Sequence, residues 1–176
     1  MLLDAGERVV GADREFMDHP GLNSERIDCS GLQMMHTNHV EEIFSIPPKQ
    51  VVYSLALQEQ CPLLERTRLL DIEPLSLPRA LNALLASQLQ VCISGTHGKS
   101  TTTAMIWTIL QQSGHDPSVY VGGVMKQNKR SGIYGAGGVA VVESCEYRQS
   151  FLHLSPDQIV LTGIEPDHFD CFSSQS

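Results

Sequence analysis

The chain has 176 residues, enough for one ordinary domain or two small ones. Hydrophobic residues make up 41% and charged residues 18%, which excludes a disordered tail and a membrane protein. A net charge of −8 argues against a nucleic-acid-binding protein, but it leaves room for one local phosphate pocket. No apolar run approaches the length of a membrane span, and the first residues do not have the pattern of a signal peptide.

The cysteines indicate a reducing compartment. Their number is odd, they are widely spaced, and none forms a CxxC pair: Cys29, Cys61, Cys92, Cys145 and Cys171. This pattern predicts free thiols in a cytoplasmic protein rather than a disulfide framework or a zinc site.

The first half of the chain alternates short apolar runs with helix-like stretches. Residues 8–13 and 50–56 are predicted strands, and the polar stretch between them is left unassigned. Ser76 and Pro78 are typical of a helix start. The leucines that follow fall on one helical face: Leu77, Leu81, Leu84 and Leu85. Residues 89–94 then form a predicted strand that leads into a glycine loop.

The second half has clearer signals. Residues 101–113 are a predicted helix, with Ile106, Ile109 and Leu110 as its buried stripe. Residues 118–122, 138–143 and 158–164 are apolar enough for strands covered on both faces, and residues 127–138 are a predicted exposed loop. The alternation predicts an α/β protein with parallel sheets and a boundary near residue 88.

The strongest motif is GTHGKST, which lies between a predicted strand and a predicted helix. Its glycines let the backbone wrap a phosphate, and the helix start supplies N–H groups and a favourable dipole. Lys99 adds a mobile positive charge, and the Ser100 hydroxyl can ligate Mg²⁺. The loop has two residues between its glycines where the full Walker pattern has four. The alternative is a glycine turn with a surface lysine, and the residues leave the role of His97 open between substrate contact and packing.

Carboxylates and a histidine follow the later strands. Glu143 ends a predicted parallel strand, where ligand sites of open α/β sheets lie, and Glu146 follows it. Another predicted strand is followed by Asp167 and His168. These groups suit divalent cations that bridge a nucleotide and an acceptor, although solvated loop acids and a structural histidine explain the spacing as well. Cys145 is expected to be a bystander.

The motifs in residues 91–170 resemble the central, ATP-binding domain of the Mur ligases. They are GTHGKSTTTAM, VGG, VVESCEYRQSFLHL and IEPDHFD, in the family's order and with similar spacing. Within the family they are most similar to the members that add L-alanine. Residues 1–90 match more loosely and look like the UDP-sugar-binding domain of the family. The resemblance therefore implies a truncated Rossmann-like domain over 1–88 and part of a P-loop-type parallel-sheet domain over 89–176.

The resemblance also implies the site residues. The ATP-binding loop comprises Gly95, Thr96, His97, Gly98, Lys99, Ser100 and Thr101. Ser100 stands where the family usually has threonine and keeps the hydroxyl that ligates magnesium. Glu143 and His168 match the metal-binding glutamate and histidine, which makes Lys99, Glu143 and His168 the expected catalytic residues. Gly163 stands where the family usually has asparagine, which removes a polar contact near the metals.

The implied reaction joins L-alanine to the lactyl carboxylate of UDP-N-acetylmuramate through an acyl phosphate, with ATP and Mg²⁺, in peptidoglycan precursor synthesis for cell division and cell shape. No GxGxxG motif occurs, and the chain ends soon after DHFD. We therefore expect a ligase fragment that does not complete catalysis alone. The alternatives are a stand-alone nucleotide-binding remnant and a related ligase such as folylpolyglutamate synthase. The sequence does not indicate an oligomeric state.

Overall fold

The computed structural model describes residues 1–13, 32–57 and 61–165. The chain divides into two compact units, one comprising Leu2–Ala80 and the other beginning at Leu81. Parallel strand pairing occurs in both units, which confirms the predicted α/β class.

The unit Leu2–Ala80 contains two separate two-stranded parallel sheets. Strand β1 (Val10–Ala12) pairs with β2 (Gln33–Met35), and β3 (Val52–Tyr53) pairs with β4 (Leu75–Ser76). Its helices are α1 (Val40–Ile43) and α2 (Pro62–Leu69), the second with proline in its first turn. The predicted strands 8–13 and 50–56 are therefore present but shorter, and α2 was not predicted.

Helix α3 (Leu77–Leu84) begins directly after Ser76 and has Pro78 in its first turn, as the sequence predicts. Its leucine face is buried at Leu81, and Leu85 just beyond the helix is fully buried. Leu85 packs with Cys92, Ala140 and Val142 of the following sheet. Leu85, just after the helix, therefore packs against the sheet that carries the glycine loop.

The second unit is built on a five-stranded sheet with the order β7-β6-β8-β5-β9. Its strands are β5 (Leu89–Ser94), β6 (Ser118–Met125), β7 (Arg130–Ile133), β8 (Val139–Glu143) and β9 (Gln158–Leu161). Strand β5 lies between β8 and β9 and is parallel to both. Strand β6 is parallel to β8, whereas β7 is antiparallel to β6. The glycine loop thus leaves a strand that has a parallel neighbour on each side.

Helix α4 (Lys99–Gln112) follows the loop and begins two residues earlier than predicted. Its buried residues are Thr103 and Trp107, and the Trp107 indole donates a hydrogen bond to the Pro117 carbonyl at 3.1 Å. Ile109, predicted in the buried stripe, is 60% exposed. The prediction for Ile109 was wrong because apolar residues occur on more than one face of this helix, and the face that is buried is the one with Trp107.

Two further expectations fail in this sheet. The stretch 127–138, predicted as an exposed loop, contains strand β7. Strand β8 is covered as predicted, with Ala140, Val141 and Val142 fully buried. Strand β9, by contrast, lies at the sheet edge and leaves Ile159 65% and Leu161 56% exposed. Its apolar character therefore does not reflect burial on both faces within the described residues.

Candidate functional site

The glycine loop connects β5 to α4 through two glycines with positive φ. Gly95 has φ +126°, and Gly98, which caps α4, has φ +81°. Residues other than glycine rarely adopt these conformations, so the motif's glycines are required by the path of the backbone. A β-carbon at Gly95 would collide with the Thr162 hydroxyl and the main chain of Gly163. The loop therefore lies directly against the segment that follows β9.

Lys99 points into the loop rather than into solvent. Its ammonium donates to the carbonyls of Gly95 at 2.6 Å and Thr96 at 3.3 Å, and to Glu146 Oε1 at 2.9 Å. The side chain is only 12% exposed. These contacts contradict the alternative of a glycine turn with a surface lysine.

Residues 162–165, which we call the post-β9 segment, bind the loop from one side. The Thr162 hydroxyl donates to the His97 carbonyl at 2.6 Å, and the Thr96 N–H donates to the Gly163 carbonyl at 3.0 Å. The Thr96 hydroxyl donates to the Glu165 carbonyl at 3.0 Å and accepts from the Glu165 N–H at 2.8 Å. The loop is therefore held by neutral hydrogen bonds along its first half, and the Thr96 N–H is already used by the protein.

Glu143 lies beside the start of the loop. In the pairing of β5 with β8 it stands opposite Ile93, two residues before Gly95. Its Oε2 accepts a 2.7 Å hydrogen bond from the Gly122 N–H. A β-carbon at Gly122 would come within 3.0 Å of the Glu143 carboxylate, so this glycine lets the carboxylate approach the β6 backbone. The Gly122 contact explains a role for VGG that the sequence pattern alone did not indicate.

The segment after β8 brings Glu146 to the other side of the loop. It continues into a 3-10 helical stretch, Tyr147–His153, which contains two consecutive non-glycine residues with positive φ, Arg148 at +48° and Gln149 at +56°. The Ser150 hydroxyl donates to the Cys145 carbonyl at 2.6 Å, and the Gln149 N–H donates to the Glu146 carbonyl at 2.9 Å. These local bonds close a tight turn directly after Glu146.

The surroundings of the two thiols near the site disfavour their thiolate forms. Burial raises the pKa of Cys145, and the neighbouring Glu146 and Glu143 carboxylates raise it further against the opposing effects of the Tyr147 N–H and Lys99. Burial raises the pKa of Cys92 in β5 to about 11. Both shifts oppose thiolate formation, in agreement with the expectation that Cys145 is not a nucleophile.

Of the remaining predicted site residues, three are exposed and one lies outside the described residues. Ser100 and Thr101 are exposed in the first turn of α4, and His97 is exposed with its Nε2 3.7 Å from Glu165 Oε2. His168 lies outside the described residues. Within the part of the chain that the structure describes, no cluster of three or more histidine, cysteine, aspartate or glutamate residues is arranged to hold a metal. The roles assigned to these residues stay predictions.

A magnesium ion suits the donors that are present. The Ser100 hydroxyl and the Glu143 carboxylate are hard oxygen ligands of the kind that Mg²⁺ prefers beside phosphates. Oε2 of Glu143 already accepts a hydrogen bond from the Gly122 N–H, which leaves Oε1 as the oxygen that a magnesium ion would use.

Parallel strands, a glycine loop and the helix that follows it define an α/β protein with a P-loop-type strand–loop–helix unit. No protein-family model matches the chain. Named relatives do match: the chain is 37% identical over 176 residues to the UDP-N-acetylmuramate–L-alanine ligase of Salinibacter ruber, covering 98% of this chain and 35% of that protein. It is 42% identical over 122 residues to the enzyme of that name from Desulfitobacterium hafniense, covering 69% of this chain and 27% of that protein.

Solved structures show the same fold. The chain superposes with TM-score 0.82 and 23% identity on a UDP-N-acetylmuramate:L-alanyl-γ-D-glutamyl-meso-diaminopimelate ligase of Neisseria meningitides, covering 99% of this chain and 58% of that one. For the UDP-N-acetylmuramate–alanine ligase of Thermotoga maritima the TM-score is 0.80, with 22% identity, 99% of this chain and 40% of that one.

The chain belongs to the Mur ligase family, as its motifs predict. It spans about a third of the length of the curated relatives described above. None of the helices in the described ranges has the length and apolar character needed to cross a membrane.

Proposed function

We propose that this chain forms the nucleotide-binding part of an ATP-dependent ligase that joins L-alanine to the lactyl carboxylate of UDP-N-acetylmuramate. The observation that carries the proposal is the loop geometry, in which glycine-dependent turns, an inward-facing Lys99 and the start of α4 follow one another directly after β5. The names of the relatives support the choice of substrates. Peptidoglycan precursor synthesis is the process that this reaction would serve.

In this proposal the chain positions the phosphates and offsets their charge. Lys99 binds the terminal phosphates, and the first N–H groups of α4 point at the same anion. Ser100, Glu143 and His168 would hold magnesium, which neutralises charge on the phosphate oxygens when bound. The lactyl carboxylate attacks the γ-phosphate to give an acyl phosphate and ADP. The alanine amine then attacks the acyl carbon and phosphate leaves.

A cytoplasmic location belongs to the same proposal. Cys61, Cys92 and Cys145 are free thiols, which is the usual state in a reducing compartment.

The direct test is nucleotide-dependent stabilisation of the 176-residue chain. ATP with Mg²⁺ at about 100 times its Kd stabilises a single-site protein by about 2.7 kcal/mol, which raises the Tm by several degrees. We expect Lys99→Ala to abolish this rise. Lys49→Ala removes an exposed lysine in the unit Leu2–Ala80 and is the matched control. An equal rise in wild type and Lys99→Ala would contradict the proposed phosphate site.

A ligation assay tests how much of the reaction the chain performs. Because it spans about a third of its relatives, we expect no turnover of UDP-N-acetylmuramate and L-alanine by these 176 residues alone. ATP binding without ligation would agree with this expectation. Turnover would contradict it and would assign the complete reaction to this chain.

A further inference from the structure

The Lys99 ammonium has no hydrogen left for a phosphate. An ammonium group carries three donors, and Lys99 directs them at three acceptors, the carbonyls of Gly95 and Thr96 and the carboxylate of Glu146. A phosphate oxygen can therefore accept from Lys99 only if one of these bonds is given up. Which bond breaks decides what nucleotide binding costs.

Glu146 is the acceptor that resembles a phosphate most closely, because it is the only anion among the three. Lys99 and Glu146 are 12% and 19% exposed, so solvent screens this pair less than an exposed one. Gly95 and Thr96 belong to the loop itself and stay beside the lysine whatever the ligand. The carboxylate comes from a different segment, and it competes with the phosphates for the same charge.

The backbone around Glu146 is shaped to present this carboxylate. Two consecutive left-handed residues, Arg148 and Gln149, each cost free energy, and such conformations persist where the surroundings impose them. The Cys145 carbonyl accepts from Ser150, and the Cys145 sulfur accepts from the Tyr147 N–H at 3.4 Å. These bonds fix the shape of the turn around Glu146, and none of them involves Lys99.

We propose that Glu146 is a positioning residue that acts as an internal counter-ion. It holds Lys99 against the loop in the absence of nucleotide, and the β- and γ-phosphates of ATP displace it. This inference rests on the proposed function, because it assumes that Lys99 receives the terminal phosphates. It adds a residue outside the expected loop and metal ligands, and it predicts that removing a carboxylate strengthens nucleotide binding.

The first experiment compares two nucleotides on the full 176-residue chain. We expect Glu146→Gln to bind MgATP about three- to tenfold more tightly than wild type, the size of a partly buried ion pair. AMP lacks the phosphates that Lys99 reaches, so its affinity is expected to stay within about twofold. Glu65→Gln removes an exposed carboxylate in the unit Leu2–Ala80 and is the charge-matched control, with no change in the ratio of the two affinities.

Weaker ATP binding by Glu146→Gln, or an unchanged ratio of ATP to AMP affinity, would overturn the proposal. A purely structural role would move both affinities together. Loss of the proposed function has a different signature, since Lys99→Ala would then leave ATP binding unaltered.

The second experiment tests the ion pair without nucleotide. We expect an amine-reactive ester to acylate Lys99 several-fold faster in Glu146→Gln than in wild type, as measured by peptide mass spectrometry. Acylation of the exposed Lys49 is expected to stay unchanged, which verifies that both proteins react with the same effective dose of ester, and an unchanged far-ultraviolet circular dichroism spectrum verifies that the variant is folded. Glu146→Ala also removes the carboxylate, and we expect Lys99 to be acylated faster in this variant too. Equal Lys99 acylation in all three proteins would overturn the proposal whether or not ATP binds.

Discussion

The two sides of the phosphate loop are held by different kinds of contact. On one side the post-β9 segment binds the loop through neutral hydrogen bonds, which the Thr162 hydroxyl and the Glu165 N–H donate and the Gly163 carbonyl accepts. On the other side Glu146 binds Lys99 through an ion pair. The first side binds the backbone of the loop and the Thr96 hydroxyl, whereas the second binds the Lys99 ammonium.

The two kinds of contact therefore have different roles: the post-β9 segment supports the path of the loop, and Glu146 compensates the charge of Lys99. The neutral bonds use the Thr96 N–H but none of the Lys99 donors, so the loop can keep its path when a phosphate reaches Lys99. An ion pair does compete, because the phosphate seeks the same ammonium. We therefore expect changes on the post-β9 side to weaken nucleotide binding and removal of the Glu146 carboxylate to strengthen it.

Gly95→Ala is expected to have the largest effect on ATP affinity, because it disrupts the contact between the loop and the post-β9 segment. Its β-carbon would collide with the Thr162 hydroxyl and the Gly163 backbone, and φ of +126° is strained for alanine. We expect ATP affinity to fall by more than about 100-fold, which corresponds to about 2.7 kcal/mol. Isothermal titration with MgATP measures this loss.

Gly114→Ala is the matched control for Gly95→Ala. Gly114 has φ +82°, and no atom lies within 4 Å of the position that a β-carbon would occupy, so the substitution introduces strain without a collision. We expect a Tm reduced by several degrees, from about 1 kcal/mol of left-handed strain, and unchanged ATP affinity. ATP binding by Gly95→Ala within tenfold of wild type would show that the post-β9 contact does not shape the loop.

Thr162→Val is expected to have a smaller effect on the same side. Valine keeps the shape of threonine but loses the hydroxyl that donates to the His97 carbonyl. A hydrogen bond of about 1 kcal/mol corresponds to ATP binding about fivefold weaker. Thr162→Ser retains the hydroxyl, so its affinity for MgATP in the same titration is expected to stay within about twofold of wild type. Serine and valine variants of equal affinity would contradict a role for this bond.

The loop and its supporting strand could be predicted because their signals are local. GTHGKST lies between an apolar run and a helix, and the structure places it between β5 and α4. Glu143 was expected at a strand end, and it ends β8 opposite Ile93. Each of these features depends on residues that are neighbours in the sequence.

The contacts across the loop could not be predicted in the same way. Thr162 reaches the His97 carbonyl 65 positions away because β9 pairs with β5, and nothing in the spacing specifies that pairing. Strand β7 was missed because its residues, Arg130-Ser131-Gly132-Ile133, lack an apolar alternation and include glycine, a residue depleted in strands. The Glu146 ion pair lies beside a turn with two left-handed residues, and no turn motif in the sequence predicts that turn.

The most direct measurement is an experimental structure of the chain with Mg²⁺ and a non-hydrolysable ATP analogue. We expect Lys99 Nζ within hydrogen-bond distance of a β- or γ-phosphate oxygen and more than about 4 Å from Glu146, with the Thr162–His97 bond unchanged. A lysine that still contacts Glu146 in the presence of bound triphosphate, or a loop that has left Thr162, would contradict the different roles of Glu146 and the post-β9 segment.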